Sequence, residues 1–454
     1  MLTRDEPTAP PIDIAALRAR EFGRLTETGD AYLDYAGAAL YGSSQLRDYQ
    51  ALLASGVFGN PHSEHRPSRE STHAIEAARE RVLRLFNVTA ATHAVCFTAN
   101  CTAAIKLVAE SYPFSARCGL VLSADNHNSV NGIREYARRA GAPVRYLPIG
   151  ADLRLQDPID ASARAAQIGA GLLAFPAQSN FSGVRHPLTI VDDARAYGLH
   201  VHLDAAAFVA TAPLDLGVVS ADFTVLSFYK LFGFPTGVGS LVARRDALAV
   251  LRRPWFAGGT VTYASVQHGS HRLRDSHEGF EDGTPNFLGI AALASGHDLI
   301  DQITLPRIAS HTADLAKRAV TGLSDLRHAN GAPVVRIYGP RDRRECGGTI
   351  ALNALTDDGA IVPYGLVESR ARDARVAVRG GCFCNPGAAE AAFAFDAARS
   401  AACFEALGDG FSVERFASCL DSDAGVGAIR ASIGLANDAS DIDRLIALMA
   451  AFRR

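Results

Sequence analysis

Short apolar runs alternate with amphipathic stretches through residues 93–243. The runs have the length of strands, and the stretches between them repeat apolar residues at the spacing of a helix face. The predicted strands are His93–Phe97, Gly119–Leu122, Val144–Pro148, Gly171–Phe175, His200–Leu203, Phe223–Ser227 and Gly239–Ala243. Strands and helices in alternation predict the α/β class, with a mainly parallel central sheet flanked by helices.

The clearest helical pattern starts at Ser68, from which apolar residues fall on one face. Those residues are Ile75, Ala78, Val82, Leu85 and Phe86. The other predicted helices are Thr102–Ser111, Ser129–Ala140, Asp192–Tyr197, Ala291–Ile300 and an amphipathic C-terminal helix, Ala439–Phe452. Upstream, the pattern predicts a loosely held arm over residues 1 to about 20 and a short strand with a glycine turn at Tyr32–Leu40.

The last third of the chain changes character, because strands there are mixed with helices without regular alternation. The predicted strands are Val334–Tyr338, Gly348–Asn353, Ala377–Arg379 and Ile429–Ile433. This pattern indicates a second, smaller α+β domain. We assign residues 1–45 to an N-terminal arm and part of the small domain, 46–305 to a large ligand-binding domain, and 306–454 to the small domain.

Composition and charge narrow the class of function. The 454 residues are 48% hydrophobic and 20% charged, with a net charge of -3. Such a chain is globular and has no electrostatic footprint for nucleic acid or an anionic membrane, so small molecules or proteins are the expected partners. The N-terminal residues lack the continuous apolar segment of a secretory signal, and no apolar run has the length of a bilayer span. We therefore predict a cytoplasmic location.

The eight cysteines are sparse for a chain of this length and show no C-x-x-C spacing. Cysteines at such spacing in a cytoplasmic protein are expected to stay reduced rather than to form a disulfide framework. Reduced thiols leave room for a catalytic one.

The segment Asp222–Leu241, DFTVLSFYKLFGFPTGVGSL, sets Lys230 at the end of an apolar run and follows it with a glycine-rich loop. Enzymes that use pyridoxal phosphate present their Schiff-base amine in this way. A second apolar run, Leu199–Ala210, surrounds the carboxylate of Asp204, where a protonated pyridine nitrogen would be a fitting partner. The alternative for Lys230 alone is a solubilising charge at a strand edge.

Two short segments are candidates for binding a phosphate. Cys101 and Thr102 follow a strand and open a helix, so their backbone N–H groups and the Thr102 hydroxyl face the positive end of a helix dipole. Ser227, three residues before Lys230, can donate a further hydrogen bond. The alternative interpretation is an ordinary N-cap made by Asn100 or Thr102.

Two polar residues follow predicted strands where a ring or a substrate would lie. His127 can stack on a flat cofactor and exchange protons near neutral pH, although a lone histidine is more often structural. The Asn180 amide can bind a phenolic oxygen or a substrate carboxylate, and its alternative is a turn residue.

The string Arg379–Gly387, RGGCFCNPG, combines a guanidinium with two thiols on a glycine-flanked loop that we expect to be mobile. Arg379 is suited to capture of an α-carboxylate, and Cys384 to a nucleophilic role. One alternative is a zinc half-site, which the lack of a second cysteine pair weakens. The other is a pair of small buried side chains, which the flanking Gly, Asn and Pro make less fitting.

Taken together, these segments resemble the cysteine-desulfurase-like branch of fold-type I pyridoxal-phosphate enzymes, within the class V aminotransferases, and most closely the desulfurase domain of the molybdenum cofactor sulfurase family. The resemblance runs over roughly residues 30 to 450. Its motifs are GNPHS (Gly59–Ser63), PAQSNFSG (Pro176–Gly183), LDAAAFVATAPLDL (Leu203–Leu216), SFYKLFGFPTGVGSL (Ser227–Leu241), FEDGTPNF (Phe280–Phe287), RGGCFCNPGA (Arg379–Ala388) and RASIG (Arg430–Gly434). Tyr229 and Ala207 differ from many desulfurases, which carry histidine and glutamine there, and agree with the sulfurase branch.

The resemblance implies a role for each matching residue. It implies pyridoxal 5'-phosphate bound by residues 46–305, with Lys230 as Schiff-base lysine, Asp204 on the ring nitrogen, His127 stacked on the ring and Asn180 near its phenolic oxygen. Phosphate contacts would come from Cys101, Thr102, Ser227 and the Thr284 of a partner subunit in a homodimer. Arg379 would hold the substrate carboxylate and Cys384 would carry a persulfide, while Cys382 has no assigned role.

The expected reaction is L-cysteine to L-alanine, with sulfur passed from Cys384 to an acceptor, either a protein or the molybdenum cofactor. His127 is a candidate base for the Cys384 thiol. A second hypothesis keeps the cofactor but not the cysteine nucleophile, as in a C–S lyase, an epimerase or another enzyme of this class in a biosynthetic pathway. A third is a non-catalytic scaffold with a vestigial site. The joint presence of Lys230, Asp204, His127 and Arg379 disfavours it.

Overall fold

The structure is a computed structural model that describes residues 12–156, 169–420 and 426–454. Its strands are β1 Ala31–Tyr32, β2 His93–Thr98, β3 Gly119–Ser123, β4 Val144–Leu147, β5 Ala170–Pro176, β6 His200–Asp204, β7 Phe223–Ser227, β8 Gly239–Arg244, β9 Val261–Ala264, β10 His271–Leu273, β11 Val335–Tyr338, β12 Thr349–Ala354, β13 Val376–Ala377, β14 Arg379–Gly381 and β15 Ala428–Ser432.

The helices, numbered in chain order, are α1 Ile14–Glu21, α2 Arg24–Thr28, α3 Ser43–Ser55, α4 Arg66–Leu85, α5 Cys101–Ser111, α6 Asn128–Asn131, α7 Ile133–Arg139, α8 Ile190–Ala196, α9 Phe228–Phe232, α10 Arg245–Leu248, α11 Phe287–Ala291, α12 Leu293–Ile303, α13 Leu305–Ser324, α14 Tyr364–Asp373, α15 Pro386–Ala392, α16 Ala397–Leu407, α17 Val413–Cys419 and α18 Ala439–Ala450. Short 3₁₀ turns lie at His277–Phe280 and Gly408–Gly410.

A seven-stranded sheet in the order β2-β8-β7-β6-β5-β3-β4 forms the centre of the molecule. Strands β7, β6, β5, β3 and β4 are mutually parallel, whereas β8 runs antiparallel to both of its neighbours. The short connection between β7 and β8 explains the reversal, because a parallel return needs a longer crossover. The predicted α/β class and mainly parallel sheet are confirmed.

A second sheet, β11-β12-β15-β14, is antiparallel throughout. Its apolar face packs against α13 and α18, and residues Ala31 and Leu33 from the N-terminal region join the same cluster. Helix α13 contributes Leu305 and Ile308 to the core of the central sheet and its later turns to this second core. The division at 45 and 305 stays a prediction.

The N-terminal region from Ile12 onward differs from the predicted loose arm. Leu17 and Phe22 are 4% and 1% exposed, in the core of the central sheet. Arg18 donates to Asp441 at 2.7 Å, which ties α1 to α18. Helix α1 is too short for its hydrophobic periodicity to predict that it is buried. Residues 1–11 of the predicted arm lie outside the described residues.

Two predicted elements are divided in the structure. The predicted helix Ser129–Ala140 is α6 and α7, which meet at Gly132. The predicted strand Ala377–Arg379 becomes β13, which pairs with β1, and β14, which pairs with β15. The division follows from long-range pairing partners that a local pattern does not contain.

The expectation that all cysteines are reduced is wrong for one pair, because Cys403 and Cys419 form a disulfide. The two residues lie on α16 and α17, which are joined by a short turn that brings their Cα atoms to 5.8 Å. A spacing of 16 residues carries no recognisable motif. The other six cysteines are free, and Cys382 and Cys384 are exposed.

Among the helices of the described segments, none combines the length and the apolar character needed to cross a bilayer.

Candidate active site

A cavity of about 340 Å³ opens at the carboxyl ends of β5, β6 and β7. Parallel strands present their ligand-binding residues at this edge of a sheet. The residues that line the cavity include seven of the predicted site residues, which are Cys101, Thr102, His127, Asn180, Asp204, Ser227 and Lys230. Gln178, Ser129, Thr236 and Gly237 also contribute to its wall.

Lys230 and Asp204 reach the cavity from neighbouring strands. Asp204 ends β6 and pairs in register with Val225 of β7, and Lys230 lies in α9, the helical turn that follows β7. Asp204 is 7% exposed, and its Oδ1 accepts from Ala206 N at 3.0 Å. No donor within the described part of the chain reaches Asp204 Oδ2, which leaves this oxygen for a ligand N–H.

The first turn of α5 provides hydrogen-bond donors to the cavity. Asn100 is the N-cap and accepts from Ala103 N at 2.9 Å, so the capping interpretation is right for this residue. Cys101 N donates to Ser227 Oγ at 2.8 Å. In the described residues Thr102 N–H has no acceptor. Thr102 lines the cavity, and its hydroxyl forms a hydrogen bond with Ser129 Oγ at 2.8 Å. An unpaired N–H at a helix N-terminus is suited to donate a hydrogen bond to an anion.

Close packing holds this turn against the central sheet. A Cβ at Gly239 of β8 would collide with the backbone of Asn100 and Cys101, so glycine is needed at this point. Burial, reinforced by the neighbouring Asp204 charge, raises the pKa of the Cys101 thiol well above its ordinary value. Cys101 therefore contributes its backbone to the site and not a reactive sulfur.

His127 is held by its own helix terminus. It caps α6, where Ser129 N donates to His127 Nδ1 at 3.1 Å. Burial lowers the pKa of His127, and the charges of Lys230 and Arg430 lower it further against the opposing effect of Asp204. The neutral ring therefore carries its proton on Nε2. Nε2 is then a donor, and the predicted role of His127 as a base for Cys384 stays a prediction.

The loop that carries the two exposed cysteines is hydrogen-bonded to the wall of the cavity at several points, and its expected mobility stays a prediction. Asn128 N donates to Cys384 O at 2.7 Å, and Asn180 Nδ2 donates to Phe383 O at 2.7 Å. Asn385 is fully buried, donates to Asp125 O at 2.7 Å and to Asn180 Oδ1 at 2.9 Å, and caps α15. Asn180 therefore uses both Nδ2 and Oδ1 of its side-chain amide in hydrogen bonds to this loop.

Phe383 is buried between the two cysteines and separates their surroundings. Phe383 and Cys384 have positive φ angles of 57° and 56°. The Cys384 sulfur acts electrostatically on the guanidiniums of Arg379 and Arg430, whereas the Cys382 sulfur acts on Tyr364. Cys384 is thus the thiol on the cationic side of the loop.

Arg379 does not line the cavity, and its side chain is 51% exposed. It donates to Asp34 Oδ2 from Nη2 at 2.6 Å and from Nε at 3.1 Å. Arg430 is the buried guanidinium nearer to the cavity: Nη1 donates to Asn180 O at 3.1 Å and Nη2 to Asp34 Oδ1 at 3.0 Å. Both arginines therefore share the single carboxylate of Asp34.

Thr284 lies apart from the cavity that holds Lys230. It is exposed, lines a neighbouring cavity of about 170 Å³, and accepts from Asn60 Nδ2 at 3.4 Å. Its contact with the cofactor of a partner subunit stays a prediction.

The roles of Asp34, Arg430 and Asn385 do not follow from local sequence motifs. Arg430 begins the RASIG motif and Asn385 lies in the RGGCFCNPGA motif, so their segments were identified without a role for these side chains. In residues 12–156, 169–420 and 426–454, no group of three or more His, Cys, Asp or Glu side chains is arranged to hold a metal ion.

Known proteins are similar to this chain in sequence over most of its length. The molybdenum cofactor sulfurase of Homo sapiens is 38% identical over 85% of this chain and 46% of its own length. That of Anopheles gambiae is 40% identical over 95% of this chain and 57% of its own length. The chain thus spans about half the length of the curated relatives it matches, and the resemblance to sulfurases is confirmed.

The fold is that of the cysteine desulfurase from Thermococcus onnurineus NA1, whose apo structure superposes with a TM-score of 0.79 at 23% identity and 98% coverage of both chains. The predicted fold type is thereby confirmed. A family model described as Aminotransferase class-V matches residues 31–445. The match covers nearly the whole chain, which therefore belongs to the class V aminotransferase family.

Proposed function

We propose that the chain is a pyridoxal-phosphate-dependent cysteine desulfurase, which converts L-cysteine to L-alanine and retains the sulfur as a persulfide on Cys384. The observation that carries the proposal is the convergence on one cavity of Lys230, the free oxygen of Asp204 and the unpaired N–H of Thr102. Cys384 lies on a loop that is hydrogen-bonded to the residues of the cavity wall.

The donors and acceptors of the cavity fit this cofactor. Thr102 N–H and the hydroxyls of Thr102 and Ser227 are suited to its phosphate, and Asp204 Oδ2 to the N–H of its ring. Lys230 Nζ is the amine that would bind its aldehyde. A volume of about 340 Å³ lies in the range of small-ligand sites.

When bound, pyridoxal phosphate supplies an electron sink for the bonds at the substrate Cα. Lys230 Nζ takes the α-proton, since it is the amine in the cavity. Asp204 holds a proton on the ring nitrogen through Oδ2, and its burial strengthens that interaction. His127 is placed to donate a proton from Nε2.

Cys384 acts on the sulfur of the substrate. Its thiolate forms the new S–S bond while the substrate Cβ–S bond breaks, and the bonding electrons pass to the carbon fragment, which is protonated to alanine. The guanidiniums of Arg379 and Arg430 complement the anionic sulfur and are the candidates for binding the substrate carboxylate.

A single-turnover experiment tests the proposal. Purified yellow protein is mixed with L-cysteine, alanine is quantified, and the peptides containing Cys382 and Cys384 are examined by mass spectrometry. The expected result is one alanine per active site and a mass increase of one sulfur on Cys384. Pyruvate would contradict the proposal and favour a C–S lyase, whereas alanine without enzyme-bound sulfur would contradict the persulfide on Cys384.

The acceptor, the assembly and the location are further parts of the proposal. Similarity to sulfurases supports the molybdenum cofactor, or a protein that carries it, as the acceptor of the sulfur. We infer a homodimer in which Thr284 of one subunit contacts the phosphate in the other, and a cytoplasmic location.

A further inference from the structure

We propose that Asp34 is a positioning residue that sets substrate specificity: it holds Arg379 and Arg430 together and leaves the pair with one uncompensated positive charge, so that the site selects ligands with a single carboxylate. This inference rests on the proposed function, because it describes how the same site recognises an amino acid. No motif assigned Asp34 a role beforehand.

The backbone fixes the position of the Asp34 carboxylate. Leu33 N donates to Ala377 O at 2.9 Å, Ser432 N donates to Leu33 O at 2.7 Å, and Tyr35 N donates to Ser432 O at 3.2 Å. Asp34 therefore lies in a segment bonded on one side to β13, two residues before Arg379, and on the other side to β15, which carries Arg430. A Cβ at Gly37 would lie 2.6 Å from Asp34 Oδ2 and 2.8 Å from Arg379 Nη2, so glycine leaves space for this ion pair.

The geometry leaves donors on both guanidiniums for a ligand. Arg430 Nε is buried and has no hydrogen-bond partner. Arg379 uses Nε and Nη2 on Asp34, and in the described residues Nη1 has no acceptor. A buried donor without a partner costs free energy, which an incoming carboxylate would recover.

The charges favour a monoanion. While the Cys384 thiol is uncharged, the two guanidiniums and the Asp34 carboxylate, which pairs with both of them, carry a net charge of +1. One α-carboxylate neutralises this set, whereas a second carboxylate on the ligand would face Asp34 in a partly buried site, where repulsion is weakly screened. Neutralising Asp34 would raise the net charge to +2 and favour a dicarboxylate.

Calorimetric titration of the purified holoenzyme with propionate and with succinate tests the inference. In native protein we expect propionate to bind at least as tightly as succinate. Asp34→Asn should raise the affinity for succinate relative to propionate by about tenfold, the effect of roughly 1.4 kcal/mol. The double variant Asp34→Asn with Arg379→Gln restores the net charge of +1 and should return the ratio to the native value.

Two control variants distinguish the effect of the Asp34 charge from a general disruption of the structure. Asp34→Glu keeps the charge and should keep the native ratio. Glu368→Gln removes a neighbouring carboxylate that accepts from Gly380 N at 2.6 Å, outside the arginine pair, and should also leave the ratio unchanged. A native ratio in a folded Asp34→Asn protein, or a double variant that does not restore it, would overturn the inference.

If Asp34→Asn does not fold, Arg379→Gln alone tests the inference. It leaves a net charge of zero, so propionate affinity should fall by about tenfold or more. Undiminished propionate binding would overturn the inference. Alanine formation by native protein is measured in parallel: its absence would refute the proposed function, whereas alanine formation with an unchanged carboxylate ratio would refute the role of Asp34 alone.

Discussion

At the scale of single residues, Asp204 is the most sharply defined element of the site. Its Oδ1 accepts from Ala206 N, and no donor in the described residues reaches Oδ2, while Asp204 lines the cavity. Asp204→Asn keeps the shape and removes the charge, so the ring nitrogen loses its proton-holding partner. We expect turnover to fall by roughly 10²–10³-fold, as when a preorganised electrostatic group is removed. Single-turnover alanine formation is the measurement, and near-native turnover would contradict the assignment.

The two exposed thiols give a second prediction. Cys384→Ala should retain cofactor absorbance and L-cysteine binding but lose sulfur transfer, because Cys384 lies on the cationic side of the loop. Cys382→Ala is the matched control and should have a milder effect. Spectral titration with L-cysteine and assay of protein-bound sulfur measure both properties. Reversed effects of the two substitutions would move the nucleophile to Cys382.

Lys230 and Asp204 could be predicted from the sequence because each stands in a local motif of apolar strand and turn. The Asp34 ion pairs could not, since they join residues separated by 345 and 396 positions along the chain. The tautomer of His127 could not be predicted either, because it depends on the hydrogen bond from the backbone N–H of Ser129 to Nδ1.

At the scale of secondary-structure elements, the seven central strands were predicted to within about one residue at each end, because the apolar runs of all but the edge strand β4 are largely buried on both faces. The short strands β13 and β14 were not separated, since β1 and β15 pair with them from distant parts of the chain. The hydrogen bonds that hold the cysteine loop could not be predicted for a related reason. The residues that hold it, Asn128 and Asn180, belong to other elements.

The side chain of Asn385 acts as a clamp, in the sense that its hydrogen bonds to Asp125 O and Asn180 Oδ1 hold the cysteine loop to the cavity wall. Asn385→Ala removes the donors to Asp125 O and Asn180 Oδ1 and the N-cap of α15. Buried bonds of this kind contribute about 1–3 kcal/mol when one partner is lost. We expect faster hydrogen exchange over Gly380–Gly387 and slower sulfur transfer, with cofactor absorbance retained. Exchange rates equal to those of native protein would refute the clamp.

Helix α12 carries a buried histidine against the helix that holds Lys230. His297 is 3% exposed and packs edge-on against Phe228 and Phe232 of α9. Burial lowers the pKa of His297 from 6.5 to about 4. The unfolded chain therefore binds more protons than the folded one between these values, so stability is full above pH 6.5 and falls as pH decreases toward 4.

His297→Phe should reduce this acid sensitivity. Between pH 7 and pH 5 the native protein loses roughly 2 kcal/mol through His297, and the variant should lose correspondingly less. Urea unfolding at both pH values gives the free energies. His311→Phe, which alters a half-buried histidine on α13, is the comparison variant. An equal loss of stability in native protein and His297→Phe would contradict the prediction.

At the scale of the whole molecule, α13 joins the two hydrophobic cores, and the Asp34 segment joins the strands on both sides of the site. The α/β class could be predicted from periodicity, because it depends on local pattern. The mutual placement of the two sheets could not, since it rests on contacts among α1, α13 and α18 that are distant in sequence.

The predicted homodimer can be measured directly. Light scattering should give twice the chain mass of 48.0 kDa. Thr284→Ala should weaken retention of pyridoxal phosphate by about tenfold through loss of one hydrogen bond to a charged group, without changing the mass of the assembly. Thr260→Ala alters a threonine whose hydroxyl bonds locally to Ala257 O and serves as control. A monomeric mass would refute the shared site.

The hydrogen bonds of the cysteine loop have a consequence for the reaction kinetics. While Cys384 O and Phe383 O stay bonded to Asn128 and Asn180, the Cys384 sulfur can move only by rotation of its own side chain. Each chain would then release one alanine rapidly and stall until an acceptor collides with the loop. Steady-state turnover would rise linearly with acceptor concentration, and its slope would be a second-order rate constant for encounter.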